Sequence, residues 1–406
     1  MPSAPAVLDA PDVEADLDLT LHTRDAELRR IGERVIAGDR LTAEDGLHLF
    51  RTRDLWTLGQ LAHIVRRRRH GRTAYYNVNR HLNYSNVCIL SCKFCEFQRK
   101  PGQEGAYQFD LDQIAEQAAA AAAAGATEIH MVGGLHPKLK FDYYLDVLRS
   151  IRAAAPDIHI KAFTAVELVH LARISKRALR SDFAGGVKSV LQDLQAAGLD
   201  SLPGGGAEVF DDRAHDTAWR GKIRSDQWLT AHRAAHELGI FSNATMLYGH
   251  VEDHVNRVHH LLQLRDEQDH ALREGLPARF NTLIPLPFFP DGSALEHLPG
   301  PTGLENLRTL AVARLMLDNF PHLKAFWIMQ TLPMAQLMLD WGADDLDGTV
   351  VWYDITKVGG STTHQEVTIP HMQRTIREAG YDPVERDTLY RPVEREGESL
   401  AWRLRP

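Results

Sequence analysis

Cysteine is nearly absent from this chain: there are three in 406 residues, and all three lie within residues 88–95. So few, so close together, cannot form a disulfide framework or serve as scattered core fillers. Long apolar runs are also missing, since none reaches the ~18 residues of a bilayer span. Positive charge is in deficit, with 46 Lys and Arg against 54 Asp and Glu for a net charge of −8. That balance argues against a general nucleic-acid or anionic-membrane binder. The basic run Arg66–His70 is local and fits a solvated helix end. The first 17 residues are acidic and rich in Ala and Pro, without the basic and apolar regions of a secretory signal. The expectation is a cytoplasmic protein in a reducing compartment, where thiolates stay available to iron. No sequence of fixed period repeats. What remains is an ordinary globular balance, 44% hydrophobic and 25% charged, in a chain long enough to bury a substantial core.

The three cysteines, Cys88, Cys92 and Cys95, have the spacing C-x3-C-x2-C, with Phe94 just before the last. Three thiolates on one loop can hold three corners of a 4Fe–4S cluster. The fourth iron then has an open position where a small molecule can bind. Zinc is the competing reading, and it needs a fourth ligand, for which His81 or His130 would serve. A non-catalytic iron–sulfur or zinc protein would follow from that alternative. The spacing and the aromatic residue resemble the radical S-adenosylmethionine (SAM) superfamily. The resemblance implies one 4Fe–4S cluster per chain, with the amino and carboxylate groups of SAM on the open iron. It also implies reductive cleavage of SAM to a 5′-deoxyadenosyl radical, with Phe94 among the cofactor contacts.

Read in order, residues 1–20 have the composition of a disordered arm. Residues 21–72 show helical periodicity, with Thr42 as a helix N-cap. Strands are expected at 73–80, 128–132, 158–163, 200–202, 241–247, 280–286, 323–329 and 346–351. Helical patterns separate them at 111–124, 141–155, 187–197, 227–238, 254–268, 304–317 and 334–341. Eight strands alternating with helices predict an α/β fold, a (βα)8 barrel of the TIM type over 73–351. An open doubly wound sheet would announce itself with a single glycine-rich dinucleotide loop, whereas here the glycines are spread over several strand ends. Residues 352–406 form an extension packed on the barrel, with one helix at 370–379.

In such a barrel the active site lies at the C-terminal ends of the strands. Gly133 and Gly134 follow the second strand and allow close backbone approach to a ligand. By analogy with the superfamily they would hold the methionine amine, so a side chain at Gly134 should weaken SAM binding and leave iron content intact. Glu167, after the third strand, could accept hydrogen bonds from a ribose diol, or could simply be an acidic residue favoured at a helix N-terminus. Gly204, Gly205 and Gly206 follow the fourth strand, Asn243 and His250 mark the fifth, and residues 285–290 could close the mouth. His136, Lys161, Asn243 and His250 are, by position, candidate donors to substrate carboxylates, and Gly205 is a candidate substrate contact.

Several segments together resemble the aminofutalosine synthase family of the futalosine route to menaquinone. They are residues 81–88, 133–137, 161–167 (Lys-Ala-Phe-Thr-Ala-Val-Glu), 202–208, 243–250, 344–350 (Asp-Asp-Leu-Asp-Gly-Thr-Val) and 384–390. The resemblance runs from about residue 30 to 392. It implies addition of the deoxyadenosyl radical to 3-[(1-carboxyvinyl)oxy]benzoate, giving 6-amino-6-deoxyfutalosine. It also implies an electron donor such as flavodoxin or ferredoxin, and is compatible with a homodimer. Two sister families share much of the layout, cyclic dehypoxanthine futalosine synthase and the deazaflavin (FO) synthase subunit, and both begin with hydrogen abstraction. The chain departs from the family pattern at 176–190, which is long and basic, and at 352–361, so those segments bear on substrate choice.

Overall fold

The structure, a computed structural model, describes residues 17–179, 181–349, 366–395 and 400–405. Most of the expected N-terminal arm and the whole of the atypical segment 352–361 lie outside the described residues. Three helices come first, α1 (Ala26–Ala37), α2 (Ala43–Arg51) and α3 (Leu55–His70). Each begins at a side-chain cap: Asp25, Thr42 and Asp54 accept from the amides of Leu28, Asp45 and Thr57. At α2 the Asp45 carboxylate returns to the Thr42 amide, so two orphan donors are satisfied together. The apolar face of this preface, Leu28, Ile31, Leu49, Phe50, Leu58 and Leu61, is buried in the main core.

The chain then enters β1 (Thr73–Asn77) and β2 (Asn79–Leu82). The βα units that follow are α4 (Leu111–Ala123), β3 (Glu128–Met131), α5 (Phe141–Ala154), β4 (His159–Ala162), α6 (Ala165–Ile174), α7 (Phe183–Ala197) and β5 (Ser201–Leu202). After them come α8 (Asp212–Ala218), α9 (Ser225–Glu237), β6 (Phe241–Tyr248), α10 (His254–Arg273), β7 (Phe280–Pro287), α11 (Gly303–Met316) and β8 (His322–Leu323). The rest comprises α12 (Trp327–Gln330), α13 (Leu332–Met338), β9 (Asp345–Gly348), α14 (Ile369–Glu378), β10 (Asp382–Glu385), β11 (Val393–Arg395) and β12 (Trp402–Leu404).

Strands β2 to β8 form one seven-stranded sheet in sequence order, every pair parallel. The expected strand at 73–80 is two strands with different partners. β1 pairs with β9 and β10, while β2 pairs with β3. Because β1 runs into β2 across Val78 alone, and β9 touches the β8 side through the Lys324–Asp345 bridge, the ring of the α/β barrel closes. The expected strand at 323–329 is mostly not a strand. β8 ends at Leu323, and Trp327–Gln330 is a helical turn whose indole Nε1 donates to the Gly348 carbonyl at 2.7 Å. Its apolar residues roof the barrel interior, and a short apolar run does not reveal whether it is strand or helix. Helix α6 was not anticipated because Ala165 to Ala172 are all buried, which erases the periodicity of an amphipathic helix.

The C-terminal segment seals the N-terminal end of the barrel. β10 pairs with β1 in parallel, the Arg386 amide donates to the Tyr76 carbonyl, and Thr388 Oγ1 donates to Glu128 Oε2 at 2.7 Å. Glu128 opens β3, so the interior is closed below it. Among the described residues no helix is long and apolar enough to cross a membrane.

Candidate active site

The cysteine loop, residues 83–108, leaves β2 and is held by backbone and amide contacts. Cys88 N donates to Arg99 O and Arg99 N to Asn86 O, each at 2.9 Å. The Asn86 amide spans the loop base, donating to Gly105 O and accepting from Tyr107 N, both at 2.8 Å. Lys100 Nζ gathers the carbonyls of Cys88, Ile89 and Leu90. Neighbouring loops and the end of α8 clamp the outer part: Ile89 N donates to Leu135 O, Lys93 N to Ala218 O, and Ala294 N to Lys93 O. The result is that Cys88, Cys92 and Cys95 all face one cavity of about 300 Å³ at the C-terminal ends of the strands. Cys88 is buried, and Cys92 and Cys95 are half-buried.

The donor set fits a cluster better than a single ion. Among the described residues, the one set of three or more potential ligands whose atoms all lie within 4.8 Å of one another is His70, His322 and Asp344. Those three do not line the cavity. At least one pair of cysteine sulfurs therefore stands farther apart than 4.8 Å, whereas one zinc ion holds its sulfurs ~3.8 Å apart at a Zn–S distance of ~2.3 Å. His81 and His130 stack on each other, centroids 4.4 Å apart, and neither joins a ligand set with the thiols. Burial pushes the Cys92 thiol up to about 12 and raises Cys95 as well. Thiolates in such a place need adjacent positive charge, which iron supplies.

Around the thiols, Phe94 lies edge-on to Trp219 at 5.9 Å, and Lys222 Nζ sits 5.4 Å above the Phe94 ring. Lys222 itself is buried in an ion pair with Glu208. On the opposite side of the loop, Glu167 is the third residue of α6 in a capping box with Thr164. Its Oε1 accepts from Tyr84 Oη at 2.8 Å and Gly133 N at 3.0 Å, and its Oε2 accepts from Thr164 N and Oγ1, both at 2.8 Å. Burial pushes the Glu167 carboxyl up to about 7 against the pull of those donors.

Residues 82–262 match the Radical SAM superfamily, and residues 278–398 match the CofH/MqnC C-terminal region. An aminodeoxyfutalosine synthase of Thermus thermophilus is 44% identical over 91% of this chain and 97% of its own. The chain belongs to the aminodeoxyfutalosine synthase family. It is accordingly an enzyme of the radical SAM superfamily. A second member of the family, from Streptomyces coelicolor, is 42% identical over 94% of this chain and 98% of its own. The crystal structure of methylornithine synthase (PylB) shares the fold, with a TM-score of 0.64, 18% identity, and coverage of 87% of this chain and 97% of that one.

With the family in place, the residues singled out from sequence divide into two groups. Phe94, Gly133, Gly134, Lys161, Glu167 and Gly205 line the cavity with the cysteines. His136, Asn243 and His250 do not. His136 Nδ1 accepts the amides of Lys138 and Leu139, both at 3.2 Å, and so shapes the turn before α5. Asn243 lies one pleat below Thr245, inside the barrel but beneath the cavity wall. The His250 ring is fully buried, with Nε2 bonded to Leu247 O at 2.9 Å and Nδ1 lying 2.7 Å from Val251 N and 2.9 Å from Glu252 Oε2. Position at a strand end brought these three to notice. Side-chain direction and local hydrogen bonding remove them from the wall.

The two glycines line the cavity, and their amides are bonded within the protein. Gly133 N is taken by Glu167 and Gly134 N by Ser85 O. A Cβ on Gly133 would strike the Tyr84 ring at 2.4 Å, and one on Gly134 the Val87 carbonyl oxygen at 2.3 Å. Their amides therefore serve the loop, and the close approach they permit is to the segment that carries Cys88. Glu167, for which a ribose contact and a helix-terminus role are both expected, has its two oxygens engaged by protein donors here. Sequence reasoning missed Lys222, Lys324 and Asp347 as cavity residues. Strand register, by contrast, groups other lining residues: His81 opposes His130, and His130 opposes Lys161, across three neighbouring strands.

Proposed function

We propose that the enzyme joins the 5′-deoxyadenosyl group of SAM to 3-[(1-carboxyvinyl)oxy]benzoate, forming 6-amino-6-deoxyfutalosine on the futalosine route to menaquinone. The observation that carries this reading is the convergence of all three cysteines on one barrel cavity, in a chain of this family. Cys88, Cys92 and Cys95 would hold the 4Fe–4S cluster, and Phe94, Gly205 and the strand end at Gly133–Gly134 would shape the place of SAM beside it. The group supplies one-electron cleavage of SAM to a primary carbon radical when bound. The protein's own part is to position the substrate and exclude water. Trp219 and Phe288 pack on Cys92 and Phe94 in a compact apolar cluster that shields the mouth. Below it the wall is apolar, with Ile284, Phe326 and Met329 packed together, which suits an aryl ring. A one-electron donor of the flavodoxin or ferredoxin kind would supply the electron.

The test is SAM labelled in its adenosyl carbons, incubated anaerobically with the reconstituted enzyme, reductant and 3-[(1-carboxyvinyl)oxy]benzoate. Label in a product that contains both adenine nucleoside and benzoate ring is the expected result. Label released stoichiometrically as free 5′-deoxyadenosine during turnover would move the chain to a hydrogen-abstracting sister activity.

A further inference from the structure

The cavity has a second polar region away from the cysteines, at its closed end. In Lys161 and Lys324 it holds two lysines, each about 3% exposed. Lys161 Nζ is 2.7 Å from Glu128 Oε1, and Lys324 Nζ is 2.6 Å from Asp347 Oδ1. His81 and His130 stand in the same strand register as Lys161 and face the same space. We propose that this closed end is a carboxylate-binding subsite, in which Lys161, Lys324 and His130 donate to the ring carboxylate of an aryl substrate. The proposal rests on the benzoate reading above and deepens it.

Three observations support it. A barrel bottom that needed only stability would be apolar, since replacing a buried ion pair with packed hydrocarbon is often neutral or stabilising. Two such pairs on one cavity wall therefore point to function. Next, each ammonium has three donors and faces one carboxylate, by a hydrogen bond at Lys324 and an ion-pair contact at Lys161, so donors remain for a ligand. Among the described residues the His130 side chain makes no hydrogen bond, and its Nδ1 is 4.0 Å from Glu128 Oε1. Burial lowers the His81 pKa to about 4 and holds His130 well below its ordinary value, so both rings are neutral and each carries one N–H. Finally, Asp347 is a non-glycine residue with φ of 72°, a conformation rarely adopted by L-residues unless the surroundings impose it. That conformation places its carboxylate on Lys324.

The geometry also orders the substrate. Ile284, Phe326 and Met329 pack together on the wall of the cavity that the lysines and cysteines share, a surface on which an aromatic ring would pack. With its ring carboxylate at the lysines, such a substrate extends its other arm toward the cysteines. Glu128 and Asp347 face the same lysines and would repel a carboxylate placed directly on them, so the ligand must approach from the histidine side. Arg386 and Asp345 are paired with each other beneath and contribute no free charge.

Calorimetric titration of the reconstituted enzyme tests the subsite with 3-hydroxybenzoate and its neutral counterpart 3-hydroxybenzyl alcohol. The wild type should prefer the acid by about tenfold or more, the scale of one or two charge-assisted hydrogen bonds. Lys324→Gln combined with Asp347→Asn keeps shape, removes both charges, and should abolish that preference while iron content and cluster absorbance stay normal. Lys161→Gln with Glu128→Gln is the second such pair, should the first fail to hold its cluster. Equal binding of acid and alcohol by the wild type, no binding of the acid, or full preference in a variant with an intact cluster would overturn the subsite. The benzoate reading is judged separately by the labelled-SAM product. Acid preference without adduct retains the subsite and removes that reading. Adduct formed with unchanged KM by the variants does the reverse.

Discussion

A Cβ placed on Gly134 would stand 2.3 Å from the carbonyl oxygen of Val87, the residue before Cys88. Real Cβ atoms do not approach a backbone oxygen so closely, so a side chain at Gly134 must displace the start of the cysteine loop. Gly134→Val should therefore lose iron as well as SAM cleavage, leaving a small fraction of the wild-type iron per chain. Anaerobic reconstitution followed by iron assay and visible spectroscopy checks this. Normal iron content with impaired SAM binding would restore the simpler view of Gly134 as a cofactor contact.

Cys92 faces the cavity from the middle of the loop, with Leu247 and Phe288 in the same apolar cluster. Cys92→Ala should reduce SAM cleavage to background and prevent assembly of a stable cluster, as should Ala at Cys88 or Cys95. A Cys92→Ala variant that still cleaves SAM at the wild-type rate would refute the ligand assignment.

Glu167 gives a pH dependence with a definite sign. Burial raises its carboxyl from 4.5 to about 7 in the folded protein. Between those values the folded state holds a proton that the unfolded state has released, so stability falls as pH rises. The slope is about 1.4 kcal/mol per pH unit in that window, and the contribution is complete below pH ~4.5 and lost above pH ~7. Denaturant titrations from pH 4.5 to 7.5 should show the slope in the wild type and its removal in Glu167→Gln. Parallel curves for the two proteins would show that Glu167 does not titrate there.

His250 should behave as a structural residue. Its ring is fully buried and its nitrogens meet local groups of the turn after β6, at Leu247 O, Val251 N and the Glu252 carboxylate. His250→Ala leaves those groups unsatisfied, at a cost of about 1–3 kcal/mol. Denaturant unfolding should show that loss while KM for the substrate is unchanged. A raised KM at normal stability would return His250 to the substrate site.

Much of the barrel was readable because its periodicity is local. Helices α4, α5, α9 and α11 begin and end within a few residues of where apolar spacing and glycine or proline punctuation place them. The misreadings share a cause. Helix α6 is buried on every side, and the apolar run at Trp327–Gln330 covers the interior of the barrel, so neither carries an amphipathic signature. The expected strand at 73–80 reads as single because sequence carries no information about which partner each half will find.

The sequence by itself confined all three thiols to eight positions, the spacing from which the ligand proposal starts, and its local periodicity set the alternating strands and helices that bring strand ends together. Only the tertiary structure decided which strand-end residues face the cavity. His136 and His250 are equally close in sequence to glycine-rich turns, yet local amides and carbonyls occupy their rings. Lys161 and Lys324 stand 163 positions apart in the chain (324 − 161) and become one polar wall because β4 and the end of β8 curve toward the same interior. Hydrophobic period and motif spacing are properties of neighbours along the chain. The meeting of two buried ammonium groups depends on barrel closure, which brings together residues that no short-range pattern connects.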